Sequence, residues 1–275
     1  MKIDVHDTAL MIAWYRAANE TASLDPYAKF WFREGAKILA EDFEAKVSEH
    51  EGILHGMRNR FMLGKLKEFQ QLHPKESCCI NLGAGFSMYP YLLQNHWETL
   101  EIDFNEVVQY KDLKTAAFQK DNKIPTRTID RMVANFLTEE GQGKIRNWVQ
   151  QHPSKPKIFI IEGVFYFLSV EEVSTLLRFC RSLMKPGDQL ACNSYRDAIK
   201  QTQAFEALQQ YFREVLNTTD QANTTLADTF YRNLDGFLLE EVTSTFELAK
   251  ENGFIDTTVS ETVVLNEYCY SLRAH

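Results

Sequence analysis

The chain has 275 residues, 44% of them apolar and 25% charged, with a formal net charge of -8. A chain of that length buries a core without disulfide or metal support, and the composition excludes disordered, collagenous and disulfide-scaffold proteins. The acidic balance repels phosphate backbones and argues against nucleic acid as the main partner, while no apolar run approaches the roughly 20 residues of a bilayer-spanning helix, so no membrane span is expected.

In chain order, Met1–Thr8 is charged and lacks a signal-peptide apolar core, so a cytoplasmic protein is expected. The first 75 residues read as helical. Thr8–Asn19 carries Leu10, Ala13, Trp14 and Ala17 at helical spacing. Asp25-Pro26 then breaks the chain. Helices follow at Ala36–Phe43 and Met57–Leu72, the second ended by His73-Pro74. A regular alternation starts next. Ser77–Leu82 reads as a strand that stops at Gly83-Ala84-Gly85, and Pro90 suits the first turn of the next helix. Glu98–Asp103 is a second strand, Glu106–Gln119 a helix, Arg127–Ala134 a third strand and Thr138–Gln151 a helix. Lys157–Glu162 is a buried fourth strand. Ser169 and Glu172 have capping-box spacing before the helix Val170–Met184, and Gln189–Ser194 is a fifth strand. Tyr195–Gly236 breaks the rhythm, with loop signals at Asn217-Thr218-Thr219 and Asn223-Thr224-Thr225. Leu238–Asn252 reads as a helix closed by Gly253, and Thr257–Leu265 and Glu267–Arg273 read as two antiparallel strands joined at Asn266.

Five strands alternating with helices imply an α/β fold, a parallel sheet wound on both faces. With an antiparallel hairpin at the C-terminus, the pattern suits the Rossmann-like sheet of class I methyltransferases. The expected organisation is one domain over 1–275, a helical N-terminal cap over 1–75 and an inserted substrate cap over 195–236. Cys78, Cys79, Cys180, Cys192 and Cys269 show no Cys-x-x-Cys spacing, and the histidines show no metal-ligand pairing. Buried thiols and no metal site are expected.

Two motifs carry a cofactor. Gly83-Ala84-Gly85 lets the backbone turn sharply and approach a ligand. Asp103 follows Gly83 by twenty residues at the end of the second strand, the spacing at which an acid receives ribose hydroxyls. Both fit an adenosine-bearing cofactor. A pyrophosphate binder wants a third glycine where Met88 stands, so S-adenosylmethionine is favoured over a nicotinamide dinucleotide. Glu162-Gly163-Val164 ends the fourth strand, and a carboxylate there faces the ligand crevice and suits the cofactor's cationic groups. Arg58 or Arg60 offers a two-pronged partner for the methionyl carboxylate.

The set Met57-Arg58-Asn59-Arg60, Cys79–Gly85, Leu100–Phe104, Lys111, Glu162-Gly163-Val164 and Leu168, with Asp25-Pro26 upstream, resembles the leucine carboxyl methyltransferase family. That family includes bacterial polyketide carboxyl methyltransferases of the tetracenomycin type, whose compact members match in length. The resemblance covers roughly residues 8 to 195. It implies that Arg58 holds the methionyl carboxylate, that Gly83 and Gly85 pass beside the cofactor, that Asp103 holds the ribose, and that Glu162 lies by the methionyl amino group. The family's adenine-contacting Asp-Leu pair aligns with Asn135-Phe136. Its early lysine is not matched, because Leu24 stands there, and its tyrosine near Glu-x-Val-Leu-x-Tyr aligns with Phe167, beside Tyr166.

The expected activity is S-adenosylmethionine-dependent O-methylation, with a small-molecule carboxylate as acceptor. A carboxylate is already ionised at pH 7, so positioning and desolvation suffice without a general base. Candidate residues on the acceptor side are Arg16, Tyr166 and Arg196. The alternatives are a protein C-terminal carboxyl methyltransferase and a non-catalytic adenosine-ligand sensor. Oligomeric state is not legible.

Overall fold

The computed structural model describes residues 5–93, 97–215 and 224–275. Four helices come first: α1 (Val5–Ala18), α2 (Glu20–Ser23), α3 (Glu34–Lys46) and α4 (Glu51–Leu72). The alternating part is β1 (Ser77–Leu82), α5 (Tyr89–Leu92), β2 (Trp97–Asp103), α6 (Asn105–Lys120), β3 (Asp130–Val133), α7 (Glu139–Gln150), β4 (Lys157–Ile161), α8 (Val170–Leu183) and β5 (Gln189–Ser194). The C-terminal part is α9 (Gln203–Val215), α10 (Asp228–Arg232), β6 (Phe237–Ser244), α11 (Thr245–Glu251) and β7 (Tyr268–Ala274).

The strands form one sheet in the order β3-β2-β1-β4-β5-β7-β6. β1 to β5 are parallel, whereas β7 runs antiparallel to both β5 and β6. This is the class I methyltransferase sheet expected from the sequence. β1 and β4 are neighbours whose connections leave in opposite directions, so a crevice opens beyond their carboxyl ends. Both central strands are buried along their whole length. One face packs Leu82, Ile102, Phe159 and Ile161 against α7 and α8. The other packs Cys79, Ile158 and Ile160 against Met62, Leu66 and Phe69 of α4. All five cysteines are buried free thiols.

Local signals set most boundaries. Ser169 and Glu172 make the capping box of α8, with both reciprocal hydrogen bonds present. α4 starts six residues before its expected first residue, Met57. Its extra turns hold Gly52 and Gly56, poor helix formers whose value is close approach. A Cβ on Gly56 would meet the Ala22 Cβ at 3.1 Å and one on Gly52 the Asn19 side chain at 2.5 Å, so α4 seats directly on α2.

The C-terminal part differs from the expectation. Leu238–Asn252 is not one helix: its first half is β6 and only Thr245–Glu251 is helical. At its start β6 alternates, with Phe237 buried and Leu238 and Glu240 outward, and β7 supplies its hydrogen bonds, which outweighs the helix propensity of Leu-Leu-Glu-Glu. Thr257–Leu265 is not a strand; it is a loop with a 3-10 turn at Glu261–Val263. The reason is topological. β5 occupies one edge of β7 and β6 the other, so no hydrogen-bonding edge is left for that segment. The antiparallel pair therefore joins β6 to β7 through α11 rather than through Asn266. β3 is short, Asp130–Val133, as befits an edge strand.

Within Tyr195–Gly236, the loop signals at Asn217-Thr218-Thr219 and Asn223 lie outside the described residues. α9 packs with α1 and α3: Phe43 and Tyr211 meet edge-on at 5.1 Å. Tyr231 of α10 instead stacks on Tyr270 at 3.8 Å in the sheet core. Among the described residues, no helix is long and apolar enough to cross a membrane.

Candidate active site

The turn after β1 is held from β2. Gly83 N–H and Ala84 N–H both donate to the Ile102 carbonyl, at 2.9 and 3.1 Å. Gly83 has φ of 71°, and a Cβ there would lie 2.5 Å from Val164 Cγ2, so glycine is needed for both conformation and space. Asp103 ends β2 with its carboxylate against this turn. Its Oδ2 accepts from Gly85 N–H and its Oδ1 from Phe104 N–H, both at 2.7 Å. Burial pushes the Asp103 carboxyl above its ordinary value, against the pull of those two N–H groups and of Lys111. Behind the turn, buried Lys111 donates to Glu101 at 2.7 Å, and Arg131 donates to the other Glu101 oxygen at 2.8 Å.

A chain of charges runs along the other side of the crevice. Glu162, just beyond β4, accepts from Arg58 Nε at 2.9 Å and from the Tyr89 hydroxyl at 2.6 Å. Burial opposes its ionisation, but Arg58, Arg16 and the Tyr89 hydrogen bond outweigh it and hold the carboxyl below its usual range. Arg58 also donates through Nη1 to both oxygens of Glu267, at 2.8 and 3.0 Å. Nη2 is the nitrogen that neither carboxylate takes. Glu267 receives Asn193 Nδ2 at 2.9 Å, and Asn193 Oδ1 receives Gly163 N–H at 2.8 Å. Asn193 also donates to the Tyr166 hydroxyl.

Arg16 of α1 is not a surface residue: it is 3% exposed. Its Nη1 lies 4.0 Å from Glu162 and its Nε 3.8 Å from Asp25, and Nε makes no hydrogen bond among the described residues. Asp25 is fixed by the Tyr27 and Ala28 N–H groups, both at 3.1 Å. Arg16 thus brings a cation to this corner from α1, although Leu24 leaves the family's lysine position unmatched.

These groups line one cavity of about 670 Å³. Arg16, Arg58, Gly83, Gly85, Asp103, Asn135, Phe136, Glu162 and Tyr166 all reach it. Asn135 Oδ1 already accepts from Leu137 N–H at 2.9 Å, which shapes the turn after β3. Arg196 does not reach the cavity, contrary to expectation. Its Nε and Nη2 grip the two Asp228 oxygens at 2.7 and 2.6 Å, and its guanidinium lies over the Tyr268 ring at 3.4 Å. It fastens α10 to the sheet. Arg60, the other candidate on α4, donates to the Ala22 and Thr21 carbonyls at 2.9 and 2.7 Å and also stays outside. Its role is to hold α2.

Sequence reasoning missed Glu51, His55, Tyr195 and Glu267, which also line the cavity. Glu51, His55 and Arg58 stand at i, i+4 and i+7 on α4, a one-face spacing that was available as a signal. Glu267 had none; it meets Arg58 across 209 positions of sequence. Among the described residues, no group of His, Cys, Asp and Glu is arranged to hold a metal ion.

The residues present fit S-adenosylmethionine. Glu162 offers a carboxylate for an ammonium, Arg58 Nη2 and Arg16 Nε, which has no hydrogen-bond partner among the described residues, offer donors for a carboxylate, and Asp103 offers free lone pairs beside the glycine turn. Three comparisons bear on this. No curated protein sequence matches the chain. Solved structures do. A DUF574 family protein from Streptomyces avermitilis superposes with a TM-score of 0.68 at 9% identity, covering 98% of this chain and 97% of that one. A protein from Thermobifida fusca provisionally described as a methyltransferase gives 0.61 at 18% identity, with 88% and 89% covered. The magnesium protoporphyrin IX methyltransferase of Synechocystis, with bound S-adenosylhomocysteine, gives 0.54 at 10% identity, with 94% and 98% covered. At these identities the likeness is one of fold. The sequence profile of leucine carboxyl methyltransferases, however, matches residues 9–181, from α1 through α8 and thus across the turn, Asp103 and Glu162. The chain belongs to the leucine carboxyl methyltransferase family, and its cofactor is S-adenosylmethionine.

Proposed function

We propose that this methyltransferase transfers the methyl group to a carboxylate oxygen of a small, largely apolar acid. The observation that carries the reading is Arg16, a buried guanidinium on the cavity wall whose Nε has no hydrogen-bond partner among the described residues, with the Asp25 and Glu162 carboxylates at 3.8 and 4.0 Å. A buried N–H left unpaired costs about 1–3 kcal/mol, which supports a place for an anion beside it. Arg58 Nη2 would serve the methionyl carboxylate, which leaves Arg16 for that of the acceptor. Met11, Leu39, Phe43, Leu208 and Phe212 supply apolar walls that exclude water from the attacking oxygen. The family name points to the same chemistry. The enclosed volume and the acidic chain support a small molecule rather than nucleic acid or a membrane as the partner.

Bound in this cavity, S-adenosylmethionine would supply a sulfonium methyl for an acceptor oxygen, with the C–S electron pair leaving on sulfur as the O–C bond forms. Glu162 and Arg58 would orient the methionyl part, Asp103 the ribose, and Asn135 and Phe136 the adenine. An ionised acceptor asks no side chain for proton abstraction.

The test is single-turnover transfer of tritiated methyl to a library of small acids. The product should release methanol in alkali, as a methyl ester does, and the rate should stay flat from about pH 6 to 9, well above an ordinary carboxyl pKa. An alkali-stable product, or a rate that rises with pH, points to a hydroxyl acceptor. Cofactor binding without transfer to any acid points to a sensor.

A further inference from the structure

Beyond Arg58, the same face of α4 continues into the acceptor half of the cavity. Two buried atoms there lack hydrogen-bond partners among the described residues: Glu51 Oε1 and His55 Nδ1. Glu51 is 2% exposed. Its Oε2 stands 3.6 Å from His55 Nε2, and His55 Nδ1 stands 4.0 Å from Glu267 Oε1. The His55 ring is stacked on Tyr15 at 5.3 Å, which fixes its plane. With its proton on Nε2, toward Glu51, the imidazole presents Nδ1 as an acceptor facing another acceptor. A donor placed against Glu51 Oε1 and His55 Nδ1 would supply the hydrogen bonds that these two atoms lack.

Around Glu51 the neighbouring carboxylates of Glu267 and Glu44 favour a cationic donor. Glu44 of α3, Tyr15 of α1, Tyr195 after β5, Glu267 before β7, and His55 and Arg58 of α4 face Glu51. Burial and then Glu267 push the Glu51 carboxyl well above its ordinary value, against Arg58 and the Leu265 N–H. Burial and then Arg58 and Arg16 push His55 well below its own. Both shifts disfavour the charged forms of these groups, and a bound cation would act against the shift on Glu51. Tyr195 and Tyr211 add aromatic rings to the cavity wall, which suit a cation.

We propose that Glu51 and His55 form a second recognition point, which receives a protonated amine on the acceptor acid. This rests on the carboxyl-methyltransferase reading. The face of α4 also sets a length. Glu51 and Arg58 lie seven residues apart, about 10 Å along the helix. Arg16 and Arg58 share Glu162, so both arginines mark the carboxylate end. The amine is thus several bonds from the carboxylate, as in an ω-amino acid, and not on the α-carbon.

The experiment is calorimetric titration of the protein loaded with S-adenosylhomocysteine, at pH 6, with 6-aminohexanoate, hexanoate, norleucine and hexylamine. 6-Aminohexanoate should bind at least tenfold more tightly than hexanoate and norleucine. Buffers of different ionisation enthalpy should reveal proton release on its binding. Glu51→Gln should abolish both the preference and the proton release while its affinity for S-adenosylhomocysteine stays within about twofold. Hexanoate binding as tightly as 6-aminohexanoate overturns the proposal. So does a preference that survives Glu51→Gln, or the absence of binding by either amine at millimolar concentration. If hexylamine binds as well as 6-aminohexanoate, the amine subsite stands and the carboxylate reading falls.

Discussion

Arg58→Lys separates the two jobs of this residue. The guanidinium bridges two carboxylates, with Nε on Glu162 at 2.9 Å and Nη1 on Glu267 at 2.8 and 3.0 Å. A lysine keeps the charge but has one nitrogen, so it holds one carboxylate firmly and releases the other. Losing one such charge-assisted set costs roughly 1.5–3 kcal/mol. At about 2–4 °C per kcal/mol for a chain of this size, Tm should fall by about 3–12 °C. The loss of Nη2 should weaken S-adenosylhomocysteine binding by roughly tenfold to a hundredfold. Adenosine, which lacks the methionyl part, should bind nearly as before, and isothermal calorimetry with both ligands reads the difference. Arg60→Lys is the control, because Arg60 donates to the carbonyls of Ala22 and Thr21 and lies outside the cavity. A parallel loss of adenosine and S-adenosylhomocysteine affinity in Arg58→Lys would show a general collapse of the site and refute the assignment. The selective pattern in Arg60→Lys would show that the wrong arginine was chosen.

Asp103→Ala should weaken both adenosine and S-adenosylhomocysteine by roughly tenfold to a hundredfold, since a charged acceptor is lost; unchanged affinity in the folded variant, by calorimetry, rules out a ribose role. Gly83→Ala should destabilise the fold by about 1–3 kcal/mol in urea titration, because φ is positive and the new Cβ meets Val164 Cγ2. Adding Val164→Ala should recover the part due to the clash and leave the backbone strain; full recovery would show that strain is negligible. Glu51 carries a pH signature. Its folded carboxyl titrates well above the ordinary value, so the folded state holds a proton that the unfolded state has lost, and stability falls as pH rises from the unfolded pKa of about 4.3 toward the folded one. Glu51→Gln removes that term, so its stability relative to wild type should rise between pH 4 and pH 8 in urea titrations; a gap independent of pH would refute the burial argument.

The sequence by itself determined the elements whose signals are local. β1 and β5 match their expected ranges residue for residue, and the Ser169 box starts α8 where capping chemistry requires. Gly83, Gly85, Asp103 and Glu162 were legible because each sits where a parallel strand ends, and a parallel sheet sends its strand ends to one crevice. The C-terminal strands were not legible. Whether Leu238–Ser244 is helix or strand depends on β7, and whether Thr257–Leu265 pairs depends on which edges of β7 are already filled. Charge partners were not legible either. Arg16, Arg58 and Arg196 are the same residue type in sequence, and only tertiary contacts put the first two beside Glu162 and the third on Asp228. Glu51 and His55 became site residues for the same reason. Their helical spacing puts them on one face with Arg58, but only the tertiary packing makes that face the wall of a cavity, where Glu51 Oε1 and His55 Nδ1 are buried without hydrogen-bond partners among the described residues.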